Sequence, residues 1–165
     1  MRHTTVESPL GPLTLVADGD ALVGVYLADQ RHRPPDERFG APAPAGDATL
    51  TRAADELAEY FAGRRTRFTV PLRAAGTAFQ RAVWDRIAAI PFGATATYTD
   101  LAAALGRPTA TRAVGAAVGR NPLSVVVPCH RVLGAGGALT GYAGGLDRKR
   151  ALLALEGAPE ATASR

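Results

Sequence analysis

The N-terminal part of the chain alternates short apolar runs with turn sequences. The runs span residues 4–7, 13–17 and 21–27, and they are separated by residues 8–12 and 18–20, which are rich in proline, glycine and aspartate. Short apolar runs bounded by such residues are typical of β-strands joined by tight turns. The pattern therefore predicts a β-meander that opens a small N-terminal lobe.

A proline-rich stretch and a helix follow the meander. Residues 31–47 are rich in proline and glycine, a composition that predicts a surface loop without regular structure. Apolar residues then recur at helical spacing from Leu50 to Phe61, and Gly63 supplies a C-terminal stop signal. Residues 67–72 are predicted to form one more strand.

Helical periodicity dominates the second half of the chain. Thr77 can cap a predicted helix whose apolar stripe is Phe79, Val83, Ile87 and Ile90. Further helices are predicted over residues 99–105, 109–118 and 147–156. Two short helices joined by a glycine-containing turn suggest a helix-turn-helix that places its second helix in a DNA groove. A plain helical hairpin, packed tightly through small residues, fits the same pattern.

The apolar run Val125, Val126 and Val127 ends at Pro128, immediately before the only cysteine. A β-branched run that ends in proline predicts a buried strand that stops abruptly. The next side chain, Cys129, would then be presented at a fixed place beside the core.

These elements predict an α+β protein of two lobes. The expected domains are residues 1–76, with a sheet and a helix, and residues 77–157, which are mainly helical, followed by a flexible tail at residues 158–165. The chain is 47% apolar and 21% charged, as is ordinary for a globular protein. No apolar run approaches the length of a membrane span, and no signal sequence is evident at the start, so a cytoplasmic protein is expected.

Charge is distributed unevenly between the two halves. Residues 1–76 carry 9 basic and 10 acidic side chains, whereas residues 77–165 carry 10 basic and 5 acidic ones. The second half is therefore the candidate surface for a polyanion, although a solvated basic face without a partner is equally compatible with the charge alone.

The single cysteine is followed by two residues of the types that make a thiol more reactive. An imidazole or a cationic group lowers the pKa of a thiol, and His130 and Arg131 supply one of each directly after Cys129. A lone cysteine is otherwise most often a small buried apolar residue. One cysteine excludes an intramolecular disulfide and a multi-cysteine zinc site, and it leaves no second thiol to resolve an intermediate.

In their order along the chain, several motifs resemble those of the O6-alkylguanine-DNA alkyltransferases, also called methylated-DNA–protein-cysteine methyltransferases. The most specific is Pro-Cys-His-Arg-Val at residues 128–132. The supporting motifs are Thr97-Tyr98, Arg112 with Ala113-Val114-Gly115, Asn121-Pro122, Gly141-Tyr142-Ala143-Gly144-Gly145 and Leu155-Glu156-Gly157. The resemblance implies a ribonuclease-H-like first domain and a winged helix-turn-helix-like second domain.

The resemblance also implies catalytic roles. Cys129 would attack the alkyl carbon on guanine O6 and keep the alkyl group as a thioether, so that each protein molecule acts once. His130 would be the base, acting through a water, and Glu156 would orient its imidazole. Tyr98 would donate to the departing guanine and lie near the phosphate of the flipped nucleotide.

Other matched residues would bind DNA or support the active site. Arg112 would enter the base stack from the minor groove and hold the space that the flipped base leaves. The remaining DNA-binding candidates are Tyr98, Ala113, Gly115, Ala116 and Arg120. The supporting candidates are Asn121, Pro128, Arg131, Tyr142, Ala143 and Gly144. Phosphate contacts would come from Arg107, Arg120 and the cluster Arg148-Lys149-Arg150, each of which could equally be a solvated surface charge.

The expected partner is double-stranded DNA containing O6-alkylguanine, and O4-alkylthymine is an open second substrate. No cofactor, metal or membrane is expected, and the protein is expected to be a monomer, with cooperative binding along DNA left open. Two alternatives belong to other classes: a non-enzymatic sensor of alkylated DNA and a cysteine hydrolase. A redox-sensing thiol on a DNA-binding protein is a third.

Overall fold

The computed structural model describes residues 1–159, which form two compact units. The first unit contains Met1–Ala75 together with Pro122–Val126, and the second contains Gly76–Asn121 and the described residues from Val127 onward. A small sheet forms the first unit and helices dominate the second, so the predicted α+β fold is confirmed. Residues 160–165 of the predicted tail lie outside the described residues.

A four-stranded sheet with one helix builds the first unit. The meander is confirmed: β2 pairs antiparallel with β1 and with β3, and the strand order is β3-β2-β1-β4. Helix α1 begins after Asp47, whose side chain accepts the backbone N–H of Leu50. The elements are β1 (Arg2–Val6), β2 (Leu13–Asp18), β3 (Ala21–Leu27), β4 (Ala41–Pro42) and α1 (Ala48–Phe61).

Residues 31–47 are more regular than their composition predicts. Asp36–Phe39 form a 3-10 turn, and β4 pairs in parallel with β1. Pro42 is compatible with this pairing because β4 lies at the edge of the sheet, where the missing N–H of proline breaks no ladder. The prediction of a loop without regular structure is therefore wrong at these two places.

The strand predicted at residues 67–72 is also wrong, because the buried carboxylate of Glu56 takes the backbone donors that a strand would use. Glu56 Oε2 accepts the N–H groups of Thr69 at 2.9 Å and Val70 at 3.2 Å. Only Leu72 forms a bridge to the sheet. Burial favours a raised pKa of Glu56, but hydrogen bonds from Thr69, Val70 and Arg52 outweigh it and hold the pKa below the usual value.

The predicted helices of the second unit are confirmed with small shifts of their ends. Thr77 and Gln80 form a reciprocal capping box at the start of α2. The indole Nε1 of Trp84 donates to the carbonyl of Ala117 at 2.8 Å and ties α2 to α4. The elements are α2 (Ala78–Ala88), β5 (Ala96–Thr97), α3 (Tyr98–Ala104), α4 (Thr111–Gly119), β6 (Val132–Leu133) and α5 (Leu146–Leu155).

The run of three valines before Cys129 is buried but is not a strand, so this prediction is wrong. Val125 has φ 71°, and the N–H of Val126 donates to the carbonyl of Ser124 at 2.8 Å. A bond across a single residue with positive φ defines a strained γ-turn. Such a φ is rare for a β-branched residue, which explains why the apolar pattern alone suggested an extended chain.

This turn makes a prediction about substitutions at Val125. Val125→Gly should be more stable than Val125→Ala by about 1 kcal/mol, because both lose the buried side chain but only glycine adopts positive φ without strain. At Val126, where φ is not positive, alanine should be the more stable replacement by about 0.5–1 kcal/mol. Denaturant unfolding of the four variants measures both differences. Greater stability of alanine at both positions would contradict the turn.

Candidate active site

Cys129 is held by backbone geometry on its N-terminal side. Its N–H donates to the carbonyl of Val127 at 2.8 Å across Pro128, which has φ −82° and ψ 64°. This is an inverse γ-turn, a conformation that proline adopts readily. The amide Nδ2 of Asn121 donates to the same carbonyl at 2.8 Å. Cys129 then begins a 3-10 turn and is 5% exposed.

A buried carboxylate gathers the two residues after Cys129. His130 Nε2 lies 2.9 Å from Glu156 Oε2. Arg131 binds both oxygens of Glu156, with Nε and Nη2 each at 2.8 Å, and its Nη1 donates to the carbonyl of Ile90 at 2.6 Å. His130, Arg131 and Glu156 are all buried. Two side chains that are adjacent in sequence thus converge on one residue at the end of α5.

The surroundings of His130 favour a neutral imidazole. Burial lowers the pKa of His130, and it outweighs the opposing hydrogen bond and charge of Glu156. Because the carboxylate can only accept, Nε2 must be the donor, and Nδ1 of the neutral ring then carries the lone pair. No described group bonds to Nδ1, which is buried. His130 is therefore arranged to accept one proton at Nδ1.

The pKa of the Cys129 thiol is raised, contrary to the expectation from its basic neighbours. Burial raises it, and hydrogen bonds to Asn121 and Tyr142 and the charge of Lys149 offset only part of that effect. Arg131 does not activate the thiol because its guanidinium is committed to Glu156 and Ile90. The resting residue is therefore a thiol rather than a thiolate.

Lys149 is buried near Cys129, so its predicted place among surface phosphate contacts is wrong. Its side chain is completely buried, and Nζ donates to the carbonyls of Val132 at 2.6 Å, Thr140 at 2.8 Å and Gly141 at 3.3 Å. Burial lowers the pKa of Lys149 to about 8, against the attraction of Cys129.

The spacing of residues along α5 indicates from the sequence that Lys149 is buried. The buried residues at the end of α5 are Lys149, Leu152, Leu153 and Glu156. Their spacing of three and four residues places them on one face of a helix. A lysine in register with two leucines and a candidate catalytic carboxylate therefore lies on the inward face.

The segment before α5 is anchored near Tyr98. The Tyr98 hydroxyl donates to the carbonyl of Gly141 at 3.5 Å, and burial raises the pKa of Tyr98, with a further contribution from Cys129. Ala143 is half-buried and Gly144 is buried in the turn that follows. Tyr98 and Tyr142 are thus both brought close to Cys129.

The candidate DNA-binding residues of α4 lie on its exposed face. Arg112, Ala113, Ala116 and Arg120 are exposed, and Gly115 is half-buried. A Cβ atom at Gly115 would meet only Tyr98 Cδ1, at an ordinary 3.9 Å. Packing within the chain therefore does not require glycine at this position.

The remaining basic candidates have partners on the protein. The guanidinium of Arg107 lies 5.6 Å from the centre of the Phe79 ring. Arg148 donates to the carbonyl of Gly144 at 3.2 Å, and Arg150 pairs with Asp147 at 3.3 Å. Exposed ion pairs of this kind are weak, so these contacts leave the cations able to exchange partners.

Residues 1–159 contain neither a metal-binding cluster nor a membrane-spanning helix. No group of three or more histidine, cysteine, aspartate or glutamate side chains there is arranged to hold a metal ion. No helix in that range is long and apolar enough to cross a membrane.

Profiles of two protein domains match the chain. The ribonuclease-like domain of 6-O-methylguanine DNA methyltransferase matches residues 1–74, and the DNA-binding domain of the same family matches residues 78–158. The methylated-DNA–protein-cysteine methyltransferase of Mycobacterium bovis is 46% identical over 94% of this chain and 92% of its own length. The constitutive enzyme of that name from Bacillus subtilis is 42% identical over 92% of each chain.

Solved structures give the same relationship. The Mycobacterium tuberculosis OGT in complex with DNA superposes with a TM-score of 0.87 at 45% identity and covers 96% of both chains. An O6-methylguanine DNA methyltransferase from Methanococcus jannaschii superposes with a TM-score of 0.66 at 30% identity, again over 96% of both chains. Matched along nearly its whole length, the chain belongs to the 6-O-methylguanine DNA methyltransferase family of transferases.

Proposed function

We propose that this protein repairs alkylated duplex DNA by moving the alkyl group from O6 of guanine to the sulfur of Cys129, once per protein molecule. The observation that carries the proposal is the buried thiol beside a neutral His130 whose Nε2 is held by Glu156. Membership of a family of methylated-DNA–protein-cysteine methyltransferases supports the same chemistry.

The proposed transfer begins with a proton leaving the thiol. A water between the two side chains passes that proton to Nδ1 of His130, and the imidazolium pairs with Glu156. The sulfur attacks the alkyl carbon as the carbon–O6 bond breaks, so the electron pair of that bond stays with guanine. The guanine anion gains a proton, for which Tyr98 is the proposed donor, and leaves as a normal base.

The raised pKa values of Cys129 and Tyr98 suit this order of steps. A buried thiol with a raised pKa resists unwanted electrophiles, because the thiolate is the reactive form. Burial also keeps the Tyr98 phenol protonated and able to donate. Lys149 places a positive charge near the sulfur while the thiolate forms, and two of its three carbonyl contacts fix the 140–141 segment.

One transfer ends the activity of each molecule. A thioether sulfur is a poor leaving group, so water does not release the alkyl group from Cys129. The chain has one cysteine, so no second thiol can accept the group in turn. This is the basis for proposing a stoichiometric repair protein rather than a cysteine hydrolase.

DNA is proposed to bind against α3 and α4. The exposed face of α4 combines Arg112 and Arg120 with small residues that let a backbone approach closely. A damaged base must leave the stack to reach a buried sulfur, and Arg112 is proposed to occupy the space that it leaves. The M. tuberculosis OGT, whose structure was determined with DNA, supports this partner. Action as a monomer and in the cytoplasm stays a prediction.

Intact mass spectrometry tests the proposed transfer. After incubation with duplex DNA containing O6-methylguanine, the protein should gain one methyl group in place of one hydrogen, on Cys129 and with no further turnover. Cys129→Ser should bind the same duplex but gain nothing. Unmodified wild-type protein that still binds the lesion would support the sensor, and a methyl adduct that is lost again with continued turnover would support the hydrolase.

Gly115 supplies a second prediction, because glycine costs stability in a helix and nothing inside the chain requires it. Gly115→Ala should stabilise the free protein by about 0.5–1 kcal/mol. The added methyl group would obstruct DNA, so transfer from the methylated duplex should slow several-fold, while transfer from the free base O6-benzylguanine stays unchanged. Unfolding curves and the two transfer rates measure this. Equal loss with both substrates would argue against a groove-facing role.

A further inference from the structure

The segment that leads towards Cys129 is bound to the edge of the sheet in the first unit. The N–H of Val25 donates to the carbonyl of Pro122 at 2.9 Å, and the N–H of Ser124 donates to the carbonyl of Val25 at 3.2 Å. Leu123 is therefore the bridge partner of Val25 in a parallel arrangement. The pairing stops there, because the next residue, Val125, turns with positive φ.

Ser124 is fixed at three of its polar atoms. Besides its paired N–H, its carbonyl accepts the N–H of Val126 at 2.8 Å to close the γ-turn. Its hydroxyl donates to Oε1 of Gln30 at 3.1 Å. Gln30 Oε1 also accepts the N–H of Leu27 at 2.8 Å, so one buried amide oxygen joins the end of β3 to the segment.

The strain at Val125 makes these contacts important. A β-branched residue in the left-handed region costs on the order of 1–3 kcal/mol, and such a conformation persists only when its surroundings hold it. The contacts of Ser124 and the burial of Val125, which is 1% exposed, provide that hold. Without the Gln30 oxygen, the Ser124 hydroxyl would be buried and unpaired, and the turn would lose one of its supports.

We propose that Gln30 is a positioning residue for Cys129, which acts by holding Ser124 and so the strained turn four residues before the nucleophile. The proposal rests on the proposed transfer to Cys129. It gives the first unit a defined part in that reaction, since an oxygen at the end of β3 helps to set the path of the chain into the Val127-Pro128-Cys129 segment. Gln30 itself touches neither substrate nor the reacting atoms.

Single-turnover kinetics on the full chain test this role. Gln30→Met removes the acceptor at nearly constant size, and Ser124→Ala removes the donor. Each should lower the transfer rate at saturating methylated duplex by about tenfold, as is typical for residues that orient a reacting group. Affinity for the duplex should stay within about twofold of wild type, because neither residue is proposed to contact DNA.

Two further variants separate the hydrogen bond from other effects. The double variant Gln30→Met with Ser124→Ala should be no slower than Gln30→Met alone, because that variant has already removed the bond from Ser124. Gln30→Glu keeps an oxygen that can accept from Ser124 and Leu27, so it should retain most of the rate even though a buried carboxylate lowers the melting temperature.

Glu56→Gln is the matched control for loss of stability. It weakens a buried tether in the same unit, between α1 and residues 69–70, and should lower the melting temperature while leaving the transfer rate unchanged. Transfer rates of Gln30→Met and Ser124→Ala within about twofold of wild type would overturn the proposal. So would losses that multiply in the double variant, or an equal loss in Glu56→Gln. A wild-type chain that accepts no alkyl group would instead overturn the proposed function.

Discussion

The buried carboxylate of Glu156 is the group on which the rest of the site depends. It accepts from His130 at 2.9 Å and from two nitrogens of Arg131 at 2.8 Å. An unpaired carboxylate at this depth would cost several kcal/mol, and Arg131 supplies the countercharge. His130 therefore does not have to carry a positive charge to satisfy Glu156. The hydrogen bond to Glu156 orients His130, which stays neutral and able to take a proton.

Because Arg131 neutralises Glu156 and His130 stays neutral, the basic residues after Cys129 have a different role from the one that the sequence suggested. Adjacent basic residues suggested a thiol made acidic by its neighbours, but burial raises the pKa of Cys129. One nitrogen of His130 and two of Arg131 bind Glu156 instead. The resting thiol is in its less reactive form, so the proposed transfer needs a base during the reaction itself. If each molecule reacts once, as proposed, resistance to other electrophiles is an advantage.

Sequence reasoning succeeded where local signals determine the structure. The Thr77 capping box, the meander turns and the glycine that follows α5 act through neighbouring residues. The order of the motifs around Cys129 indicated the family to which the chain belongs. Sequence reasoning failed where residues that are distant in sequence determine the local structure. Glu56 withdraws the donors that a strand at residues 67–72 would use, and tertiary contacts hold Val125 in a turn that its propensity opposes. Lys149 was misplaced because its neighbours in sequence are surface arginines, although its helical register marked it as buried.

The protonation state of His130 is the most direct test of its proposed role as the base. Nitrogen NMR of isotope-labelled protein at neutral pH distinguishes the two neutral tautomers from the imidazolium. We expect a neutral ring with the proton on Nε2 and none on Nδ1. Burial lowers the pKa of His130, and Glu156 requires a donor at Nε2. A ring protonated on both nitrogens at neutral pH, or one carrying its proton on Nδ1, would contradict the claim that His130 is held ready to accept the thiol proton.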